Sequence, residues 1–311
     1  MISLIQRLKI SYIIYNFFHR KQLAHNVPLY KKFGIKKFYF SPISSKDFFK
    51  SNSLVNDVKL PNIEESILFK NGCDETKKSI LDYDKNGYCI IKNFLSNDEV
   101  TNVNSEIEKL LSSKEINFKY HNKIMFAIHK SKLLKNIGEN QSLKQLLGKF
   151  LGGESVLFQS INFINGSEQE THSDSIHMTT YPLGGLLGVW IALEDISAES
   201  GALHYYPGSH KLPYYLNGDY DNEGNWLFIG EKDYSEYEKM IAGKINEYNL
   251  KKEVFTPKKG DLLIWHANLL HGGEPWTDKT KTRKSMVFHY FKKGVVCYHE
   301  RTQRPALIKK S

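Results

Sequence analysis

The stretch HGGEPWTDKTKTR, His271 to Arg283, reads as the end of one strand, a turn and the start of the next. His271 closes GDLLIWHANLLH, and Gly272, Gly273, Pro275, Thr277 and Asp278 make the run after it rich in turn formers. Arg283 then opens RKSMVFHYF, where a strand pattern resumes. A strand–turn–strand of this kind sets Arg283 beside the His271 end of its neighbour. With period 2, Arg283 and Ser285 share one face of the strand, while Lys284, Met286 and Phe288 take the other. A guanidinium beside a hydroxyl is a receptor for a carboxylate, because its fork matches two oxygens at once.

A hundred residues upstream, THSDSIHM places His172 and Asp174 two positions apart. Ligands at i and i+2 project from one side of an extended segment, and a third must come from elsewhere to complete a facial set. Two histidines and one carboxylate with open positions is the arrangement that holds non-haem Fe(II). His266 and His271 compete for the third place. His266 continues the strand, whereas His271 sits at the turn.

Five stretches in order carry a resemblance to a known family: NGYCIIKNFLSNDEV (Asn86–Val100), HSD (172–174), SGALHYYPGSH (Ser200–His210), KGDLLIWHANLLHGG (Lys259–Gly273) and RKSMVFHY (Arg283–Tyr290). The chain resembles the phytanoyl-CoA dioxygenase family, oxygenases that use Fe(II) and 2-oxoglutarate on a double-stranded β-helix, or jelly roll. HxD alone is a weak signal, but HxD, PGSH, GD…H and R in this order are specific. The resemblance implies Fe(II) on His172, Asp174 and His271, the ligand before Gly-Gly being preferred to His266. It also implies that Arg283, with Ser285, holds the distal carboxylate of 2-oxoglutarate. Gln159, Asn162 and Trp190, on strands flanking the site, become candidates for contacts with 2-oxoglutarate or substrate. His177 and Met178 become candidates for facing the substrate, and His210 lies on a loop near the mouth. The implied reaction hydroxylates a C–H bond with O2 and releases succinate and CO2. Halogenating relatives replace the carboxylate ligand with a small residue, so Asp174 favours hydroxylation. Many relatives also have Gly-Ser where this chain has Gly272-Gly273.

The fold expected is α+β and mainly β: a jelly-roll core with flanking helices and an N-terminal helical arm. At 311 residues the chain has room for one large β domain. Ser96 with Glu99 forms a capping-box pattern for a helix from Asn97, with Val100, Val103, Ile107, Leu110 and Leu111 as its buried stripe. A second helix spans Gln141–Leu151. After Gly152-Gly153 the texture changes to short aromatic or β-branched strands: Val156–Ile164, Leu186–Leu193, Ala202–Tyr206, Leu262–Trp265, Arg283–Phe291 and Val295–His299. Gly87–Ile91 is an earlier one. Residues 76–311 are read as the jelly-roll domain, with an insert over about 212–252 of a length suited to a binding loop or lid.

Residues 1–75 form the arm and linker. Residues 1–50 hold ten Lys/Arg against Asp47 as the one acid, a net of +9 that equals the charge of the whole chain. Residues 2–21 read as an amphipathic basic helix with Leu4, Ile5, Leu8, Tyr12 and Tyr15 as its stripe. Packing on the domain and lying on an anionic membrane surface through residues 1–22 are both open to such a helix. Pro42 to about Asn71 is irregular and suits a linker. Nucleic acid is not an expected partner, since no recognised module accompanies the charge. The three cysteines are too few and too scattered for a disulfide framework and read as reduced thiols. With no secretory cleavage site or long apolar span, the expected location is cytoplasmic, with peripheral membrane contact as the variant. The substrate is left as a small or lipid- or glycolipid-like molecule, which the basic arm weakly favours. Two other readings are a non-catalytic jelly roll that binds carbohydrate or lipid, and another metal-dependent cupin-type enzyme. A plain cupin site has no use for Arg283.

Overall fold

The computed structural model describes residues 7–48, 62–120 and 122–308. Leu4 and Ile5 of the expected stripe, and residues 49–61 of the expected linker, lie outside the described residues. The strands are Tyr88–Ile91 (β1), Phe118–Lys119 (β2), Lys123–Met125 (β3), Ser155–Phe163 (β4), Thr179–Tyr181 (β5), Leu186–Ala192 (β6) and Leu203–Tyr205 (β7). They continue with Glu253–Phe255 (β8), Leu262–His266 (β9), His271–Gly273 (β10), Ser285–Lys292 (β11), Val296–His299 (β12) and Arg304–Pro305 (β13). Seven form an antiparallel sheet in the order β1-β9-β6-β11-β4-β3-β2, and two three-stranded sheets run β10-β7-β8 and β13-β12-β5. This is the expected jelly roll with flanking helices.

The alternation of β11 sets the two faces of the large sheet. Met286, Phe288 and Tyr290 join Leu187, Val189, Ile191, Leu262 and Ile264 in a core covered by helices. Those helices are Asn97–Ser112, Lys132–Gly138 and Gln141–Leu151. The Asn97 helix starts as its sequence dictates: the Glu99 amide donates to Ser96 Oγ (3.2 Å) and the Ser96 amide to the Glu99 carboxylate (2.8 Å). Val100, Val103, Ile107 and Leu110 are buried on it, while Leu111 packs only at the edge. On the opposite face Phe163, Trp190, Leu263, Trp265 and Val287 meet Leu203, Tyr205 and Phe255 of the β10-β7-β8 sheet. The metal-binding side chains sit between these two sheets.

The arm packs on the rest of the chain. Lys9 N–H donates to Leu227 O and Ile229 N–H to Arg7 O, both at 2.9 Å, so the arm runs along the 212–252 insert. Ser45 donates through its N–H (3.2 Å) and hydroxyl (2.8 Å) to the buried Glu300 carboxylate. Tyr30, Ile43 and Phe48 cluster with Val296 and Tyr298. The helical reading of 2–21 needs correction. The described helix runs Lys9–Phe18, breaks at His19 and resumes over Arg20–Leu23. Leu8 bridges to Phe228, and Tyr12 lies under Arg304 at 5.0 Å, so this part of the stripe turns inward. Tyr15 does not, and Ile10, Ile14, Phe17 and Phe18 are all exposed. The helix is apolar on two sides, and a single stripe misses the second. The expected linker also holds more structure than expected, with 3-10 turns at Ser45–Asp47 and Ile63–Glu65 and a short helix at Ile67–Lys70.

Candidate metal centre

His172 and His271 are brought together by the backbone. Each donates its N–H to the other's carbonyl at 2.9 Å, which extends the β10-β7-β8 sheet by one bridge. Ser173 is extended, and Asp174 begins a 3-10 turn over Asp174–Ile176. Asp174 is therefore not in a strand, but the extended Ser173 preserves the i,i+2 projection. The ligand atoms of His172, Asp174 and His271 all lie within 4.8 Å of one another.

Hydrogen bonds behind the ligands orient them. His172 Nδ1 lies 2.8 Å from Glu170 O, and His271 Nδ1 lies 2.9 Å from Leu269 O. A ring nitrogen facing a carbonyl carries the proton, so each Nε2 presents a lone pair, and that of His172 accepts from Gln169 Nε2 at 3.1 Å. Asp174 divides its two oxygens. Oδ1 lies 3.9 Å from His172 Nε2 and 3.6 Å from His271 Nε2. Oδ2 accepts from Trp265 Nε1 at 2.8 Å and lies 3.6 Å from His289 Nε2. Trp265 belongs to β9 of the large sheet, so the carboxylate is fixed across the interior. Gly188 makes room: a Cβ there would meet the Trp265 ring at 2.2 Å. Burial, with the neighbouring His271 charge adding to it, pushes the His172 pKa down to about 3. For Asp174, burial acts against ionisation but His271, His289 and His172 outweigh it and hold the carboxyl well below its usual range. A neutral His172 imidazole beside an ionised carboxylate is what a divalent cation requires.

Arg283 precedes β11 rather than opening it, held by its N–H on Ile164 O at 2.8 Å. Its side chain is 2% exposed, stacks over Phe163 at 5.2 Å and has no carboxylate partner among the described residues. Burial pushes its pKa down to about 10, so it stays charged at neutral pH. Arg283 Nε, Ser285 Oγ, Trp190 Nε1 and His289 Nδ1 are all buried without a hydrogen-bond partner. Register puts Ser285, Val287 and His289 on the metal-facing side together with Phe163, Trp190 and Gln159. Gln159, opposite His289, is half-buried.

Two of the expected site residues point elsewhere. Asn162 pairs with Met286 and Ile124, both in the helix-covered core, so the pleat turns it away from the metal. His210 is swung away by Gly208, whose φ is +79°, and packs over Gly87 with its Nε2 on Asp84 O at 3.1 Å. His177 lies beside the triad, edge-on to His172 at 5.5 Å, with its Nε2 3.0 Å from Tyr234 Oη. Met178 packs against the Leu186, Phe291 and Val295 cluster. His266 stands opposite Leu187 in register, on the helix side.

The sequence reading passed over three neighbours. Neither Trp265 nor His289 is among the site residues that the sequence singles out. Period 2 from Ser285 through Val287 reaches His289, so that signal was available. Lys123 gave none. It lies on β3 opposite Phe163, donates to Gln169 Oε1 at 3.2 Å, and feels the charges of Asp174 and Arg283. The insert contributes as well. Its helix Tyr234–Glu247 sets Tyr237 Oη 3.2 Å from the Ser173 amide, and Arg301 stacks on Tyr234 at 4.5 Å.

Fold and site together define a jelly-roll protein with a two-histidine, one-carboxylate facial centre. The family model for phytanoyl-CoA dioxygenase (PhyH) matches residues 83–285, well over half of the chain, and the chain belongs to that family. It is similar to phytanoyl-CoA dioxygenase domain-containing protein 1 of Danio rerio, 30% identical over 180 residues, 54% of this chain and 56% of that protein. The Dictyostelium discoideum homolog is 23% identical over 269 residues, 69% of this chain and 90% of that one. The chain spans about half or less of the first curated relatives it matches, 56%, 41% and 42% of their lengths. Among solved structures, the non-heme alpha ketoglutarate dependent carbocyclase SnoK aligns with TM-score 0.60 at 16% identity, covering 78% of this chain and 95% of that one. EctD from S. alaskensis aligns with TM-score 0.53 over 69% of this chain and 76% of its own, at 18% identity, in a structure with bound Fe. These two likenesses show the fold. No described helix is long and apolar enough to cross a membrane.

Proposed function

We propose that the chain is an Fe(II)- and 2-oxoglutarate-dependent dioxygenase that hydroxylates a C–H bond of a small molecule. The observation that carries this reading is Arg283, a buried guanidinium with no carboxylate partner among the described residues, near the Ser285 hydroxyl that is likewise unpaired among them, with Lys123 feeling the charges of both Arg283 and Asp174. A buried unpaired charge costs several kcal/mol unless an anion meets it. A dicarboxylate anchored there reaches toward the metal with its other end. Neither a plain cupin enzyme nor a carbohydrate-binding jelly roll needs such a cation.

In this reading His172 Nε2, Asp174 Oδ1 and His271 Nε2 hold Fe(II), which with 2-oxoglutarate supplies O2 activation and release of succinate and CO2. Trp265 keeps Oδ1 aimed at the metal by occupying Oδ2. Arg283 and Ser285 hold the distal carboxylate, with Trp190 and Gln159 alongside. Lys123, His177, Tyr234 and Arg301 line the approach to the metal and supply donors for a polar or anionic substrate. The Tyr234–Glu247 helix shields the site from water. Residues 76–311 make up the catalytic unit and 1–75 the arm. A lipid- or glycolipid-like substrate is supported only by the arm. Its outward Ile10, Ile14, Phe17 and Phe18 lie beside Arg20 and Lys21, the combination that sits on an anionic bilayer.

The test is succinate formation across pools of candidate substrates, with wild type and Asp174→Asn. The variant keeps an oxygen for Trp265 but weakens the metal ligand, and it is expected to lose substrate-coupled turnover while melting near wild type. A folded variant with full coupled turnover sinks the reading.

A further inference from the structure

Away from the metal centre, the described residues line a half-open cleft of about 1110 Å³ that contains none of the triad, Arg283 or Ser285. It opens where the arm, the Gln141–Leu151 helix and the far ends of β6, β9 and β11 meet, on the helix-covered side of the large sheet. Its apolar wall is Phe150, Leu151, Leu183, Leu212 and Val295, with Tyr83 stacked on Phe150 at 3.8 Å. Four lysines, Lys32, Lys211, Lys292 and Lys293, line it against a single acid, Asp84. Lys293 is engaged by Glu154 at 2.6 Å. No carboxylate within salt-bridge distance meets the other three among the described residues.

The polar atoms within it are unusual for a space left over from packing. Tyr83 is 5% exposed, yet its hydroxyl has no hydrogen-bond partner among the described residues, and the Tyr214 hydroxyl, beside the Gly184 backbone, donates to no acceptor among them. Since His210 Nε2 faces the Asp84 carbonyl, its Nδ1 is an unpartnered acceptor. His266 Nδ1 accepts from the Asn268 amide (3.1 Å), so its Nε2 carries a proton and is a donor. Native interiors rarely leave several polar groups unpaired in one place, and each costs about 1–3 kcal/mol.

We infer that this cavity is a second ligand site, for an amphipathic organic anion with an apolar body. The body lies against Phe150, Leu183, Leu212 and Val295, an oxygen of the ligand accepts from Tyr83 and Tyr214, and the anionic head meets Lys32, Lys211 and Lys292. Clefts and cavities of about 300–1,000 Å³ with mainly apolar walls and a few convergent polar groups suit ligands of this kind, and this one lies at the upper end of that range. The site stands on its own residues and does not depend on the oxygenase reading.

Decyl phosphate, below its micelle-forming concentration, is the probe, titrated calorimetrically into the full chain. Decyltrimethylammonium and inorganic phosphate are the controls. Decyl phosphate is expected to bind at one site, at least tenfold tighter than either control. The double substitution Lys211→Glu with Lys292→Glu is expected to weaken it at least tenfold, and Arg283→Ala to leave it unchanged. Tyr83→Phe with Tyr214→Phe tests the floor without changing charge and is expected to weaken binding severalfold while the melting temperature holds. Loss in Arg283→Ala with retention in the lysine variant would place the probe in the metal centre and overturn the inference. Equal binding of the ammonium amphiphile, or no binding of decyl phosphate, overturns it too.

Discussion

The two faces of the seven-stranded sheet are built from the same strands, residue by alternate residue, and treat their polar groups in opposite ways. On the helix-covered face, Tyr290 is fully buried and its hydroxyl donates to Gly138 O at 2.7 Å, and Ser160 Oγ accepts from the Ile128 amide. On the metal-facing side, Ser285, Arg283, Trp190 and His289 keep buried polar atoms without partners. On the helix side Asn162 has both amide atoms unpaired, and the Tyr83 hydroxyl and His210 Nδ1 are unpaired at the cleft beyond the strand ends. A core satisfies its polar groups internally, whereas a site keeps them for what it binds. The difference between faces therefore identifies function more sharply than either face alone.

The largest effect is expected at Arg283. Truncating one partner of a buried charge pair costs about 2–5 kcal/mol, or roughly 30-fold to several-thousand-fold in affinity. Arg283→Ala should raise the Kd for 2-oxoglutarate by at least the lower figure, and Arg283→Lys should restore part of it, since an ammonium lacks the fork. Lys284→Ala, whose side chain pairs with Glu108 at 3.0 Å at the surface, should change little. Unaltered 2-oxoglutarate binding in Arg283→Ala would erase the contrast between faces.

On the core side, Tyr290→Phe leaves the buried Gly138 carbonyl unpaired and should lower stability by about 1–3 kcal/mol in denaturant unfolding. Affinity for 2-oxoglutarate should hold, and a matching loss of affinity would mean the faces are not independent. The smallest effect is expected at Ser285→Ala. Its hydroxyl satisfies nothing in the free protein, so stability should be unchanged or rise. Affinity for 2-oxoglutarate should fall by an amount worth about 0.5–1.5 kcal/mol, one hydrogen bond. A loss of stability with intact affinity would reverse its assignment to the site.

Much of the architecture was legible because it rests on local chemistry. Short aromatic or β-branched runs bounded by turn formers gave the strands that became β1, β4, β6, β7, β9, β11 and β12, and the Ser96–Glu99 cap gave a helix start that the structure reproduces. The triad was legible because backbone geometry makes HxD an i,i+2 pair and the family resemblance chose His271 over His266 for the third place. What stayed hidden depends on register. Asn162 and Gln159 lie three positions apart on one strand, so period 2 puts them on opposite faces, but only the pairing with β11 shows which of the two faces the metal. Lys123 belongs to a three-residue strand too short to show a period. The Trp265 bond to Asp174 joins residues 91 positions apart, across two sheets. The outward stripe of the arm escaped because the helix is apolar on both sides. The Gly-Gly after His271 has a spatial reason: a Cβ at Gly273 would meet Ser167 Oγ at 2.8 Å and the Glu168 amide at 3.0 Å.

The division of labour within the Asp174 carboxylate also bears on how this site can evolve. Exchanging the ligand for a small residue, the change that separates hydroxylating from halogenating relatives, looks like one step on paper. Here the same step removes the acceptor of the Trp265 indole in a buried interior and takes a partner from His289. An orphaned donor of that kind costs about 1–3 kcal/mol, a sizeable share of a domain's margin of stability. The new chemistry would therefore be reached through a weakened intermediate unless position 265 changed first. Trp265 acts as a ratchet, keeping the lineage on the carboxylate side of that divide.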